Sequence, residues 1–257
     1  ENARDMLELQ WDPELPLARK FAAYYRRMHE LADGRFGIST YELPGPSQFT
    51  GALQKMDDFI LACADEPEFM AEVCMKLAGI AVAFYKWAAE LANAGQQTYA
   101  GQFQPLVWAP ENTLYWCDHT AINFSPELFA QALLPAIREI HSHFERAFMF
   151  CYPAEGPHVF PSIWRACPNL LGIHNCQGEM PGQSGAAMTS QGPEGEKKEW
   201  AYLDSLYREF AGRRAFIIKC PPERIPHYRE IFPGDAGLAI WTFAPTREAA
   251  NKIVDGL

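Results

Sequence analysis

Short apolar segments alternate with amphipathic helical segments along this chain, and this alternation limits the fold more strongly than any other sequence feature. The segments typical of buried strands lie at 147–151, 170–176, 215–220 and 238–242. Two further strand candidates lie at 35–43 and near residue 98. Strands that are separated by helices run parallel, and the helices cover the sheet. The sequence therefore predicts an α/β fold with a parallel sheet wrapped by helices.

The helical segments are identified by apolar residues that recur every three or four positions. The longest one covers 69–91, with Pro67 near its first position and Gly95 beyond its end. Ser125 is expected to cap the next helix, and a closing helix is expected after Thr246. The first helix, which ends near residue 34, is predicted to bury an apolar stripe formed by Leu17, Phe21, Tyr24, Met28 and Leu31.

The number of strands bears on the architecture. Six strand patterns can be identified in the sequence, whereas a closed (β/α)8 barrel needs eight. The length of 257 residues suits one barrel domain, and no internal linker divides the chain. We therefore predict a single domain over residues 1–257, a TIM-type (β/α)8 barrel that is N-terminally incomplete. The chain begins with Glu1 and not with methionine, so the missing strands are expected before it.

The charge and cysteine content exclude some classes of partner. The chain has 22 basic and 32 acidic residues, a net charge of -10, and the acidic residues are spread along it. A nucleic-acid or anionic-membrane surface is therefore disfavoured, and no apolar run approaches the roughly 20 residues that span a bilayer. The seven cysteines form no CxxC pair, which indicates a reduced, cytoplasmic protein. We expect a small-molecule substrate, with no nucleic acid and no membrane as partner.

One long segment, 177–198, is rich in glycine and proline and poor in apolar periodicity. This composition is typical of a mobile loop. In a parallel barrel the loop would follow the carboxyl end of a strand, where active sites are built, so a lid is one interpretation. A surface insertion without a role explains the same composition equally well.

Asp118 and His119 are the strongest candidates for acid–base chemistry. A carboxylate and an imidazole at a strand end can hold or pass a proton near neutral pH. Adjacent residues of a strand point to opposite sides, so one of the two is expected at the barrel mouth, and we favour Asp118. The alternative is that backbone amides of the following loop satisfy the Asp118 carboxylate, because buried polar groups usually have partners.

Cysteine and histidine residues end three of the predicted strands and offer a ligand set for Zn²⁺. Cys151 and Cys220 each end an apolar run, while His174 and Cys176 end the strand between them. Zinc needs three or four such ligands at about 2.0–2.3 Å. The alternative is that these cysteines fill space, since free cysteines are among the most buried residues. His141 falls on a helix away from the strand ends and is predicted to be a surface residue.

Further polar residues beside the strand ends are candidates for contacting a substrate. Tyr152 follows the predicted strand at 147–151 and is grouped with the catalytic candidates. Glu155 and His158 of the same loop, together with Lys219, could orient substrate carboxylates or a leaving group. Trp241 lies at the end of the last strand and could line a pocket. Each residue alone is also explained by loop contacts or by core packing.

Four sequence segments occur in an order that is typical of one known superfamily. The segment 117–129 has an acidic residue at a predicted strand end followed by Ser-Pro-Glu, and 45–50 has a glycine–proline turn. The segment 65–69 has a DEPE helix start, and 151–156 is a cysteine-containing loop that ends in glycine. Together they resemble the uroporphyrinogen decarboxylase superfamily, which includes corrinoid methyltransferases. The resemblance implies a barrel of that type.

The resemblance implies a methyltransferase that moves a methyl group between a corrinoid and a small-molecule acceptor. It also implies zinc as cofactor, the corrinoid as co-substrate and a corrinoid protein as partner. Methyltransferases of this family bind zinc through His-x-Cys and a distant cysteine near the last strand. This chain has Met149-Phe150-Cys151 and Trp241-Thr242 at those places, so the family's zinc motif is not intact.

Two alternatives to methyl transfer stay open. One is a uroporphyrinogen-decarboxylase-like lyase that acts on a polycarboxylate, with Asp118 as proton donor. The family's arginine-rich N-terminal signature is absent, and Arg213 and Arg214 precede a strand at its amino end. Because decarboxylation needs a cationic clamp for carboxylates, this favours methyl transfer. The other alternative is a non-catalytic binding protein, and a homo-oligomer is compatible with all three functions.

Overall fold

A computed structural model describes residues 3–40, 42–93, 112–151, 159–175, 201, 204–234, 237–242 and 244–255. The predicted strand near residue 98 and the predicted loop at 177–198 lie outside the described residues. Four of the candidate site residues also lie outside them, namely Tyr152, Glu155, His158 and Cys176. For Lys219 the description covers the strand position and not the side chain.

The sheet is built from six strands, which are β1 (Leu43–Pro44), β2 (Thr113–Cys117), β3 (Arg146–Cys151), β4 (Leu170–Asn175), β5 (Ala215–Lys219) and β6 (Leu238–Trp241). They lie side by side in sequence order. Leu43 of β1 pairs in parallel with Trp116 of β2. Ile217 of β5 pairs in parallel with His174 of β4 and with Ala239 of β6. The predicted α/β fold with a parallel sheet is confirmed, as are the four strands predicted from β3 onward.

The first two strands differ from the prediction. The strand predicted at 35–43 is wrong for most of its length, because residues 35–40 form no strand and β1 has two residues. Ile38 packs in a buried cluster with Tyr25 and Ala32 of the preceding helix, which takes this segment away from the sheet. Strand β2 is missing from the strand count made on the sequence, although all its residues are buried. It ends directly before Asp118, where the resemblance implies a strand.

Helices connect the strands, and they are α1 (Pro16–Ala32), α2 (Pro46–Leu53), α3 (Met56–Asp65), α4 (Pro67–Ala92), α5 (Pro126–Leu128), α6 (Leu134–Ser142), α7 (Val159–Ala166), α8 (204–210), α9 (Ile225–Ile231) and α10 (Arg247–Asp255). A π-helical turn, Phe129–Leu133, joins α5 to α6. The long predicted helix is confirmed as α4, and Pro67 occupies its first turn, where proline is tolerated. The Ser125 cap is also confirmed, since its Oγ accepts a hydrogen bond from the Leu128 amide at 3.2 Å.

The face of α1 that is buried differs in part from the predicted one, since Phe21 and Met28 of the predicted stripe do pack against the buried cluster around Tyr25. Leu17, Tyr24 and Leu31 were expected in the core, but they are 79%, 62% and 55% exposed. The buried residues of α1 are Ala18, Tyr25 and Ala32, one position further along the chain. The two small alanines allow close packing of α1, whereas the larger residues at 17, 24 and 31 lie on the adjacent line of the helix. The hydrophobic periodicity was therefore sufficient to predict the helix but not to predict which of its faces is buried.

The chain divides into two compact units. The first comprises Glu1–Phe148 with His158–Leu170, and the second comprises Met149–Pro157 with Leu171–Leu257. One domain over residues 1–257 stays a prediction. Among the described helices, none is long and apolar enough to cross a membrane.

Buried aromatic residues organise the core of each unit. In the first unit, the Tyr85 hydroxyl of α4 donates to the Thr113 carbonyl at 3.2 Å and accepts from the Tyr115 amide at 3.0 Å. These two bonds fix α4 against β2. In the second unit, Tyr207 of α8 packs edge-on against Phe216 of β5, with ring centroids 5.2 Å apart. Such contacts bury large apolar areas and fix the helices on the strands.

Candidate functional site

Asp118 links the end of β2 to the start of α2. Its carboxylate is fully buried. Oδ1 accepts hydrogen bonds from the Ser47 hydroxyl at 2.5 Å and the Gln48 amide at 3.3 Å, and Oδ2 accepts one from the Ser47 amide at 3.4 Å. The carboxylate thereby accepts from two amides at the α2 N-terminus, and its negative charge also interacts favourably with the helix dipole. Asp118 thus caps a helix 70 residues upstream.

Gly45 makes this contact sterically feasible. It is the residue that precedes α2. A Cβ atom at this position would lie 2.4 Å from both Cβ and Cγ of Asp118. Such a distance is far below van der Waals contact, so a larger residue would displace the Asp118 carboxyl group. The glycine is therefore required by the close approach of β2 to the turn.

The hydroxyl of Thr120 extends the network. Thr120 Oγ1 lies 2.6 Å from Ser47 Oγ. Because the Ser47 hydroxyl donates to Asp118, Thr120 donates to Ser47. This arrangement matches the expected alternative in which backbone amides satisfy Asp118, although the amides belong to α2 and not to the following loop. A proton-transfer role for Asp118 stays a prediction.

A second cluster lies beside the carboxyl end of β2 and consists of Cys117, His119 and Glu42, the residue directly before β1. One ligand atom from each residue lies within 4.8 Å of the other two. Glu42 and Cys117 are buried and His119 is half-buried. Cys117 Sγ donates a hydrogen bond to Gln48 Oε1 at 3.3 Å. Within the described residues, this is the group that brings three metal-binding side chains together.

The backbone of β1 and β2 explains how this cluster arises. Pro44 pairs with Cys117 in the parallel register. Glu42 is two residues before Pro44, so it lies on the same face of the sheet as Cys117. His119 is two residues after Cys117 and begins a short 3-10 helix, His119–Asn123. Asp118 and His119 therefore belong to different clusters, which agrees with the expectation that they point to opposite sides.

Three of the candidate zinc ligands of the second unit lie at or near the ends of different strands. Cys151 is the last residue of β3, His174 lies in β4, and Cys220 directly follows β5; all are buried. The His174 ring lies 5.0 Å from that of Phe150 and 6.2 Å from that of Trp241, centroid to centroid. These ring contacts agree with packing as well as with a pocket wall.

Cys151 and Cys220 both lie near the Tyr207 hydroxyl. Burial raises the pKa of Tyr207 well above its ordinary value, and neighbouring groups that include both cysteines add to the effect. Burial also raises the pKa of Cys220 to about 11, against the opposing charge of Arg224. Cys220 is therefore a thiol at neutral pH when no metal is bound. Because Cys176 lies outside the described residues, the zinc set of Cys151, His174, Cys176 and Cys220 stays a prediction.

Sequence reasoning missed a polar cluster in the second unit. Asp204 of α8 accepts hydrogen bonds from His227 Nε2 at 2.6 Å and from Arg224 Nη2 at 3.3 Å. Arg224 Nη2 also lies 3.4 Å from the Tyr228 hydroxyl. No motif connects α8 with α9, so the sequence alone offers no signal for this group.

His141 is a correction to the sequence prediction, since it is 3% exposed and not a surface residue. It lies on the side of α6 that faces β2, with its ring edge-on to that of Trp116 at 5.2 Å. Asn169 donates to the carbonyls of His141 and Phe144, which orients its Oδ1 toward His141 Nδ1 at 2.9 Å. Burial lowers the pKa of His141 to about 4. The imidazole is therefore neutral at physiological pH.

We expect acid to destabilise the protein through His141. The unfolded chain takes up a proton near pH 6.5, whereas folded His141 does so near pH 4. This contribution to stability is complete above pH 6.5 and is lost as the pH falls from 6.5 to 4. Between neutral pH and pH 5 the loss is about 2 kcal/mol. Urea unfolding at neutral pH and at pH 5 should show this loss of unfolding free energy in wild type and in His143→Gln, but not in His141→Leu. An equal decline in His141→Leu would contradict the assignment.

The residues that sequence reasoning missed in the first unit are Glu42, Ser47, Gln48 and Cys117. Two signals were present. Cys117 and His119 have Cys-x-His spacing at a strand end, which places both side chains on one side. Glu42 is a carboxylate near the end of the segment 36–43, whose other residues are uncharged. No protein-family model and no curated protein matches this sequence.

Proposed function

We propose that this chain is an enzyme of the uroporphyrinogen decarboxylase and corrinoid methyltransferase type, which moves a methyl group between a corrinoid and a small-molecule acceptor. The parallel sheet is then part of a (β/α)8 barrel, and the reaction occurs at the carboxyl ends of the strands. The observation that carries the proposal is the contact between Asp118 and the turn that contains Gly45 and Ser47.

This contact supports the proposal because it joins two segments on which the family resemblance depends. The turn at 45–50 and the acidic residue at the end of β2 are about 70 residues apart, and each is a weak signal alone. In the fold they form one hydrogen-bonded unit in which Gly45 leaves room for Asp118 and Ser47 donates to it. An accidental similarity of two short segments does not require such a contact.

The chemistry of methyl transfer defines what the chain must provide. The acceptor, for example a thiol, must lose its proton before its electron pair can take the methyl group from cobalt, which keeps the bonding pair. Glu42, Cys117 and His119 supply a carboxylate, a thiol and an imidazole that can accept a proton or bind a cation. A zinc ion would supply a Lewis acid that stabilises the acceptor thiolate. Asp118 holds α2, and with it Gln48, against this cluster.

The positions of the arginines favour methyl transfer over decarboxylation. Arg146 pairs with Glu145 at the amino end of β3, and Arg213 and Arg214 precede β5. Arg224, which follows β5, is bound to Asp204. A polycarboxylate substrate requires several cations at the carboxyl ends of the strands, and these arginines do not supply such a group.

The test is methyl transfer from methylcobalamin to a panel of small thiols. The reaction is monitored through the absorbance change that accompanies loss of the methyl–cobalt bond. We expect turnover with the full chain and zinc. His119→Gln should lower the rate by about a hundredfold, whereas His143→Gln, on the exposed end of α6, should leave it unchanged. Release of CO₂ from a polycarboxylate in place of methyl transfer would contradict the proposal. Equal rates for His119→Gln and His143→Gln would show that the reaction does not occur at this cluster.

A further inference from the structure

We infer that Glu42, Cys117 and His119 form a binding site for one divalent metal ion with a preference for Zn²⁺. This site differs from the predicted set of Cys151, His174, Cys176 and Cys220, and it uses no residue of the family's zinc motif. The binding of the metal does not depend on the proposed function. The role of the metal in activating a methyl acceptor does.

The geometry of the cluster suits a tetrahedral ion. Its three ligand atoms lie within 4.8 Å of one another. Zinc with bonds of 2.0–2.3 Å holds neighbouring ligands about 3.5 Å apart. The pairing of β1 with β2 holds the adjacent backbones in register, so side-chain rotations are what must close this difference.

The identities of the ligands favour zinc over other ions. A thiolate and an imidazole are soft and borderline ligands, which disfavours Mg²⁺ and Ca²⁺. A carboxylate also ligates zinc beside histidine in some catalytic sites, such as those with two histidines and one glutamate. Three protein ligands leave the fourth position open, as in catalytic zinc sites and unlike structural ones. The open position is where a thiol acceptor would bind.

Burial adds a second argument. Glu42 and Cys117 are 8% and 5% exposed, and both are anionic when they act as ligands. A bound cation would neutralise the charge of the buried Glu42 carboxylate and of the Cys117 thiolate that forms when the thiol loses its proton. The charge of Glu42 is also felt by Tyr85, whose pKa is raised mainly by burial and further by this carboxylate. The Tyr85 hydroxyl is hydrogen-bonded to the Thr113 carbonyl and the Tyr115 amide of β2, so it is not a further ligand.

Gln48 is positioned to support the metal site. Its Oε1 accepts a hydrogen bond from the Cys117 thiol, with Sγ and Oε1 3.3 Å apart. When Cys117 binds a metal as thiolate, that proton leaves and the sulfur becomes an acceptor. A rotation of the Gln48 amide then directs its NH₂ group to the sulfur. Outer residues of this kind commonly contribute 10- to 100-fold in metal affinity. Asp118 fixes Gln48 through the N-terminus of α2.

The first experiment measures metal binding by the full chain after treatment with a chelator. Titration with Zn²⁺ should show about one ion per chain, and Co²⁺ should give a thiolate-to-cobalt charge-transfer band. Cys117→Ser, His119→Gln and Glu42→Gln should each weaken binding by about a hundredfold or more, and Gln48→Ala by about tenfold. The matched controls Cys63→Ser, His143→Gln and Glu139→Gln should bind like wild type. Retained affinity in Cys117→Ser or His119→Gln would overturn the inference.

The second experiment needs no variant and therefore does not depend on how the substitutions fold. X-ray absorption at the zinc edge counts the sulfur ligands. The inferred site predicts one sulfur with nitrogen and oxygen neighbours, whereas the set that includes Cys151, Cys176 and Cys220 predicts two or three. Two or more sulfurs, or no bound metal, would overturn the inference. Zinc with one sulfur but no methyl transfer would refute the proposed function and leave the metal site intact.

Discussion

Gly45→Ala is expected to destabilise the protein by roughly 3 kcal/mol, because the added methyl group cannot coexist with the Asp118 carboxyl group. The new Cβ would lie 2.4 Å from two Asp118 carbons. Either the turn or β2 must move, and the hydrogen bonds from Ser47 and Gln48 to Asp118 are lost together. Urea unfolding of the variant and of wild type measures the difference.

The matched control is Gly79→Ala in the interior of α4. A Cβ at Gly79 has no atom within 4 Å, and alanine is the better helix former by about 1 kcal/mol. Gly79→Ala should therefore be neutral or stabilising. If the two variants have similar unfolding free energies, the close approach of Asp118 to the α2 turn is not as described.

Asp118→Asn is expected to cost about 3 kcal/mol although it changes the shape of the side chain very little. An amide group retains one oxygen, so it cannot accept from both the Ser47 amide and the Gln48 amide as the carboxylate does. Its NH₂ group would face a backbone donor, and the negative charge at the α2 N-terminus would be lost. Thermal or urea unfolding shows the effect, and turnover should slow while zinc is retained.

Asp57→Asn provides the comparison for this prediction. Asp57 is also a carboxylate in the first turn of a helix, α3, but it is exposed. Its loss should cost about 0.5 kcal/mol, the ordinary value for an exposed charge near a helix terminus. An equally small effect of Asp118→Asn would show that the buried network contributes little. Loss of bound zinc in Asp118→Asn would instead make Asp118 part of the metal site.

The parts of the fold that sequence could predict depend on local patterns. Helix α4 follows from a long apolar repeat bounded by Pro67, and the cap of α5 follows from Ser125. Strand β3 follows from a short apolar run between two polar segments. These features are encoded by residues close together in sequence, so they are visible before any tertiary contact is known.

The errors arise where tertiary packing decides between local alternatives. Apolar residues on α1 indicate a helix, but the small size of Ala18 and Ala32 decides which face is buried. The residues near Ile38 favour a strand locally, yet Ile38 packs against α1 and β1 is left with two residues. His141 was predicted to be exposed because its helix lies away from the strand ends, and Asn169 provides the partner that allows it to be buried.

The candidate site shows the same division. Asp118 and His119 were found because the family resemblance implies a strand end there and a recognisable helix start, Ser125, follows them. Their partners Ser47 and Glu42 were not found, because they lie about 70 residues away and depend on the register of β1 with β2. A two-residue strand has no sequence signature of its own. Its register is therefore information that the structure adds.

We propose that methyl transfer occurs beside Glu42, Cys117 and His119, at the carboxyl end of β2. The most direct measurement is single-turnover methyl transfer from methylcobalamin to a thiol in zinc-loaded wild type, Cys117→Ser and Cys151→Ser. We expect transfer by wild type, a loss of about a hundredfold or more in Cys117→Ser, and a rate close to wild type in Cys151→Ser. Transfer that survives in Cys117→Ser but is lost in Cys151→Ser would contradict this placement of the site and support the ligand set predicted in the second unit.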